Sequence, residues 1–234
     1  MLNKRQIHTY DVTDNISIQL VEIPILRYFP TCTYCGEGNF WNKTWPAALA
    51  LSRYLAQGFP LERLKGSRAL VIGSGVGLEG FVLAKLGAAV SFLDHISDAL
   101  QVVSQNCLLN EIGHFQTICC CWKDPNIVGN IGKYDLVIGS DVLYNPKEWM
   151  WIESLLKISL KANGLALFSD PMRSNVMDFF RGLDKASFRV KYSKSHFVNK
   201  ADLGLAKASF RVKWGDPRWS FENRRILIYC FERL

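Results

Sequence analysis

Between Ile7 and Ile23 the chain reads IHTYDVTDNISIQLVEI, polar and apolar side chains alternating, and this period of two predicts a strand or hairpin at the N-terminal end. Pro24, Pro30 and the segment CTYCGEGN then interrupt the pattern. From Thr44 to Leu55 small and apolar residues recur at helical spacing, with Pro46 suited to a first helical position and Thr44 beside it as a capping hydroxyl. The stretch Leu61 to Gly66 closes that helix, and Ala69 to Ile72 is short and wholly apolar, as a buried strand would be.

From there the pattern alternates. A helix is expected over Leu78–Leu86, a strand over Ala89–Leu93, a helix over Ser97–Leu109, and strands over Thr117–Cys121 and Tyr134–Gly139. A helix over Lys147–Leu160, a strand over Leu165–Ser169, a helix over Ser174–Leu183 and late strands ending at Arg225–Phe231 complete the series. Strands alternating with helices imply an α/β fold, a doubly wound and mostly parallel sheet covered on both faces. Ligands of such sheets sit outside the carboxyl ends of the strands.

The candidate chemistry falls at those ends. ALVIGSGVGLEG, residues 69–80, passes from a strand into a glycine-rich loop and then opens a helix, and Asp94 ends the next strand. Spaced glycines let the backbone approach a bulky ligand, and an acid about 20 residues on suits ribose hydroxyls. Gly75-x-Gly77-x-x-Gly80 fits a dinucleotide loop, whereas Gly73-x-Gly75-x-Gly77 fits the loop of S-adenosylmethionine enzymes; the loop alone does not choose between them. Trp122 follows the third strand of this series, and Ser140, Asp141, Val142, Leu143 and Tyr144 follow the fourth. A lone strand-end Trp is ordinarily core packing, but a carboxylate inside IGSDVLY is costly to bury without a partner.

Composition adds bounds. With 234 residues and 49% hydrophobic content the chain suits one catalytic-size core. No apolar run reaches the length of a membrane span and the start lacks a secretory h-region, so a cytoplasmic protein is expected. A net charge of +7 with scattered Lys and Arg is compatible with nucleic acid without indicating it. Seven cysteines imply reduced thiols rather than a disulfide framework. Cys32-x-x-Cys35 has half a zinc knuckle's spacing, Cys119, Cys120 and Cys121 are adjacent, and no second well-spaced pair appears, so no metal is expected.

The order WPAALALSRYL, glycine loop, SFLDHISDALQVVSQNCLLN, CCCW, YDLVIGSDVLYNPKEW and DPMRSNVMDFF resembles family 16 of the seven-strand S-adenosylmethionine-dependent methyltransferases, over roughly residues 40–182 and the final strand. The resemblance implies a Rossmann-like class I fold of seven strands, with residues 1–43 as an N-terminal extension and 44–234 as the methyltransferase domain. It implies S-adenosylmethionine as cofactor and a protein lysine as acceptor. It puts Trp45 at the helix start against the cofactor and Gly73, Ser74 and Gly75, with Gly77 closing the loop, under the cofactor's amino-acid part. It puts Asp94 on the ribose, Trp122 beside the adenine and the Ser140 backbone next to the sulfonium. Asp141 and Tyr144 match a D-x-x-Y motif bordering the acceptor opening, with Asp141 holding the acceptor.

One position departs from the pattern. Two residues before the first glycine, where the family usually carries an acid near the cofactor's ammonium, stands Val71, with Glu79 or Glu37 as possible substitutes. Alternatives are a small-molecule or nucleic-acid methyltransferase, a non-catalytic cofactor-binding module, and a nicotinamide-dependent oxidoreductase. SDVLYNP, rather than N-P-P-Y or D-P-P-Y, weighs against methylation of bases or glutamine amides. Near the C-terminus LDKASFRVK (183–191) returns as LAKASFRVK (205–213), which reads as a local duplication adding a hairpin or loop. Its alternative reading, with Phe188, Phe210, Trp214 and Trp219, is an acceptor-recognition surface.

Overall fold

The structure is a computed structural model, and residues 6–23, 40–124, 131–185, 188–198 and 224–234 are described. A two-stranded antiparallel hairpin, β1 (Gln6–Thr13) and β2 (Ile16–Glu22), precedes the main sheet. The main sheet has seven strands: β3 (Arg68–Ile72), β4 (Ala89–Asp94), β5 (Phe115–Cys119), β6 (Tyr134–Ser140), β7 (Leu160–Asp170), β8 (Phe188–Val198) and β9 (Arg224–Arg233). Their order is β5-β4-β3-β6-β7-β9-β8. The first five are parallel, and β9 enters antiparallel between β7 and β8. Strand order therefore reverses between β3 and β6, which makes that seam the topological switch point.

Among the described residues five α-helices cover the sheet: α1 (Pro46–Gln57), α2 (Leu78–Lys85), α3 (Ser97–Leu109), α4 (Trp149–Ser159) and α5 (Val176–Lys185). The period of two decides which layer each strand residue joins. Ala69 and Val71 of β3 pack with α1, α2, α3 and the hairpin, while Leu70 and Ile72 face the layer of α4 and α5. Close packing of α2 on β4 depends on Gly80, where an added Cβ would fall 2.1 Å from the Phe92 ring. The third glycine of Gly75-x-Gly77-x-x-Gly80 thus serves helix-to-strand contact and says nothing about a pyrophosphate.

Several boundaries differ from expectation. β5 ends at Cys119 rather than Cys121, which leaves Trp122 in a turn beyond the strand. α1 starts after Trp45, which takes the N-cap position and offers no side-chain cap; Thr44 stands one residue too early, and its backbone N–H donates to the Glu22 carboxylate at 2.7 Å. β7 is longer than expected, beginning at Leu160 directly where α4 stops. The first copy of the repeat straddles the end of α5 and the start of β8, and the second lies outside the described residues. The edge strand β8 is mostly exposed and carries Arg189, Lys191 and Lys194, charges that discourage pairing with another chain. Cys107 and Cys230 are buried free thiols but Cys121 is disulfide-bonded, which corrects the expectation of reduced thiols throughout. Cys32 and Cys35 lie outside the described residues. Among the described residues no helix is long and apolar enough to cross a membrane.

The hairpin is docked by two amides of α3. Asn106 Oδ1 accepts from the Val21 N–H at 2.7 Å and its Nδ2 donates to the Val76 carbonyl at 3.1 Å; Asn110 accepts from the Gln19 N–H and donates to the Gln19 carbonyl. These side chains supply the partners that a neighbouring strand would give β2. Asn106→Leu is expected to lower stability by about 1–3 kcal/mol for each backbone group left buried without a partner. Urea denaturation measures it, and a loss below about 0.5 kcal/mol, the range of neutral surface changes, would show that Asn106 does not anchor the hairpin.

Candidate functional site

The glycine loop follows β3 at the switch point. Gly73 and Gly75 both adopt left-handed backbone (φ 58° and 51°). A Cβ at Gly73 would meet Val142 at 2.7 Å, and one at Gly75 would meet the Trp41 carbonyl at 3.2 Å. Both close approach and positive φ therefore demand glycine. Ser74 between them is 5% exposed, and its Oγ has no hydrogen-bond partner among the described residues. Gly77 is the left-handed N-cap of α2.

Asp94, at the end of β4, is 4% exposed. Its two oxygens accept from the Gly75 and Ile96 N–H groups, each at 3.0 Å. Burial pushes this carboxyl above its usual range, while the two amides draw it back. The loop is therefore held by the acid predicted to serve the ribose, whose Oδ1 also lies 3.5 Å from His95 Nδ1.

Trp122 is buried and lies close to the position a Cβ on Gly73 would take, which brings it to the loop despite the shorter β5. Its Nε1 donates to Glu148 Oε2 at 2.9 Å, and Glu148 also accepts from Lys123 at 2.8 Å and Asn145 at 3.2 Å. The NPKEW segment, quoted in the sequence only as part of a pattern, contains the residue that fixes the indole.

Trp45 stands at the start of α1, half-buried, with its Nε1 donating to the Phe40 carbonyl at 2.7 Å. Phe40 meets Trp45 edge-on at 6.0 Å and Tyr144 at 5.8 Å, and Phe40 and Tyr144 are each about 40% exposed. Phe40 thus joins the rings of Trp45 and Tyr144 into one aromatic cluster. Partial burial, then the charges of Glu148, Asp94 and Asp141, push the Tyr144 phenol up to about 12, so it stays protonated at neutral pH.

At the end of β6, Ser140 Oγ donates to the Glu79 carboxylate across the switch point. Asp141 is in left-handed conformation (φ 58°), its N–H bonded to the Ser169 carbonyl at 2.9 Å. Its carboxylate pairs with the guanidinium of Arg173. Arg173 also pairs with Asp170, the last residue of β7, and its own N–H donates to Asp170 at 2.8 Å. Burial works against the guanidinium's charge, but the two carboxylates raise its pKa above the usual value. All ten predicted site residues therefore gather around the ends of β3, β4 and β6, the start of α1 and the turn after β5. Glu79 enters the sequence reading only as a substitute for the acid absent at Val71, and Glu148, Asp170 and Arg173 were missed as site residues, although DPMRS follows a predicted strand as directly as the others. Open clefts of about 460 and 570 Å³ lie elsewhere, one at the opposite ends of β3 and β6 and one under the hairpin turn. The location of the site follows from topology, not cavity size.

A model of the lysine methyltransferase family matches residues 35–186. The chain belongs to that family. Family membership resolves the two readings of the glycine loop in favour of the methyltransferase one. The mouse protein N-lysine methyltransferase METTL21A is 30% identical over 165 residues, covering 69% of this chain and 73% of that protein. The Xenopus laevis histone-arginine methyltransferase METTL23 is 32% identical over 124 residues, 51% of this chain and 50% of that protein. The chain matches about half the length of the histone-arginine relatives. Among solved structures, the T. thermophilus 16S rRNA methyltransferase RsmC, in complex with AdoMet and guanosine, superposes with a TM-score of 0.65 at 12% identity, over 100% of this chain and 52% of that one. A ribosomal protein methylase from Lactobacillus delbrueckii gives 0.55 at 16% identity, over 80% and 79%. These last two likenesses establish the fold that the family shares with them.

Asp94→Asn replaces one of the two accepting oxygens with an amide donor, which then faces a backbone N–H. The methyltransferase fold is expected to lose about 1–3 kcal/mol with no ligand present, read as a lower Tm. An unchanged Tm would show that Asp94 does not hold the loop.

Proposed function

We propose that the protein transfers a methyl group from S-adenosylmethionine to the side-chain amine of a lysine in another protein. S-adenosylmethionine supplies an activated methyl on a sulfonium. The site fits it: Ser74 Oγ is a buried hydroxyl with no partner among the described residues, and the buried carboxylate of Asp94 is bonded to the next residue of the loop. In this reading Gly73, Ser74, Gly75 and Gly77 cradle the amino-acid part and Asp94 takes the ribose hydroxyls. Trp122, steadied by Glu148, flanks the adenine, with Trp45 and the Ser140 backbone on the sulfonium side.

The observation that carries the acceptor class is the pairing of Asp141 with Arg173. A lysine attacks only as the neutral amine, and an isolated carboxylate beside it would hold it as ammonium. Arg173 offsets that field. Asp141 then orients the nitrogen without locking it in its charged form, while the aromatic edges of Phe40, Trp45 and Tyr144 wall the approach and exclude water. An arginine acceptor is the second reading, raised by the histone-arginine relatives. A guanidinium is best held by a carboxylate that can accept its planar fork, and here Asp141 is already engaged by Arg173. The lysine family model and the protein N-lysine relative support the first reading.

Incubation with methyl-labelled S-adenosylmethionine and cell lysate, followed by acid hydrolysis of labelled protein, is expected to yield N-methyllysine. Recovery of methylarginine or methylhistidine, or label in RNA alone, would refute the lysine assignment. Asp141→Asn is expected to lower transfer by about 10²-fold, as misorientation of an acceptor does, with S-adenosylhomocysteine affinity unchanged in calorimetry.

A further inference from the structure

Glu79 is the buried carboxylate for which the scheme above has no use. It lies in the first turn of α2, directly after the glycine loop, and is 3% exposed. Its side-chain hydrogen bond is to the hydroxyl of Ser140, across the seam between β3 and β6. Burial pushes its carboxyl up, and the charge of Asp141 adds to that. A carboxylate enclosed this way, with the Ser140 hydroxyl and its own backbone N–H as donors, is costly unless a cation reaches it. Arg173, the guanidinium at this edge of the sheet, is engaged with Asp141 and Asp170.

Two further observations place the missing cation on the ligand. Ser74, on the loop that leads into Glu79's helix, has a buried Oγ with no partner among the described residues. Val71, by contrast, is fully buried in the layer formed with α1, α2 and α3, and it offers the site no charge. With Asp94 taken up by the Gly75 and Ile96 amides, the loop's surroundings leave one carboxylate that no cation meets among the described residues, Glu79, and one hydroxyl donor without a partner, Ser74. That is the complement of an α-amino acid, whose ammonium needs an anion and whose carboxylate needs a donor.

We propose that Glu79 binds the α-ammonium of the methionine moiety of S-adenosylmethionine from the first turn of α2, Ser140 steering its carboxylate and Ser74 donating to the ligand's carboxylate. The charge that β3 does not carry at Val71 is supplied one element later. This assignment rests on the methyl-donor reading above, and its test separates the two.

Wild type and Glu79→Gln are titrated by calorimetry with S-adenosylhomocysteine, which carries the amino-acid part, and with methylthioadenosine, which lacks it. Glu79→Gln is expected to weaken S-adenosylhomocysteine about 10- to 100-fold, the range of a charge-assisted hydrogen bond, and to leave methylthioadenosine within about twofold. Glu79→Asp, which keeps the charge but shortens the reach, is expected to fall between the two and covers the case in which the Gln variant does not fold. Equal losses for both ligands, or for neither, would overturn the role of Glu79 while leaving the methyl-donor reading intact. Wild type that binds neither ligand would overturn both.

Discussion

The pair of hydrogen bonds from the Gly75 and Ile96 amides to Asp94 is the contact on which the site depends. It links the glycine loop after β3 to the start of α3 after β4, so two neighbouring connections share one shape. With that loop set, Ser74 is held inside and Trp41 lies against Gly75. Parallel strands bring their carboxyl ends to one edge, and there the chain places carboxylates that only a connected set of donors can keep buried.

That edge is organised by charge. Asp94 is held by backbone amides, Glu148 by Trp122, Lys123 and Asn145, and Asp141 and Asp170 by a shared Arg173. Glu79 alone among them has a hydroxyl for its side-chain partner. The arrangement separates tasks: the acids with donors of their own shape the walls, and the acid without a cation faces the part of the site where a ligand's positive charge is wanted. The hairpin contributes at a distance. Its Glu22 receives the Thr44 N–H and its Ile23 exchanges hydrogen bonds with Asn42, so the segment that presents Trp41 and Trp45 is tied to β2 rather than left as a free loop.

Much of the fold was legible in the sequence because buried parallel strands are short unbroken apolar runs, and their helices are bounded by Gly and Pro. α3 appears over Ser97–Leu109 as the period of its apolar residues indicates, and β4 and β6 fall within one residue of expectation. β5 was less clear, since its burial is only partial and its cysteines carry no periodic signal, so its end fell two residues early. Thr44 suits a cap by residue type, yet the helix begins one residue later, with Trp45 at the N-cap, and the Thr44 amide meets Glu22, a partner 22 residues away that no local rule reveals.

The sequence by itself determined the alternation of strands and helices, the glycine loop and the acids and indoles at strand ends, because these depend on local periodicity and on backbone freedom. It also carried the family resemblance, through the order of its motifs. Only the tertiary structure decided which charges meet: Arg173 with Asp141 and Asp170, Glu148 with Trp122, Glu79 with Ser140. Such pairings join residues up to 61 positions apart. Glu79 reaches Ser140 because β6 lies beside β3, and Asp141 reaches Arg173 because β7 lies beside β6, long-range registers that no window along the chain contains.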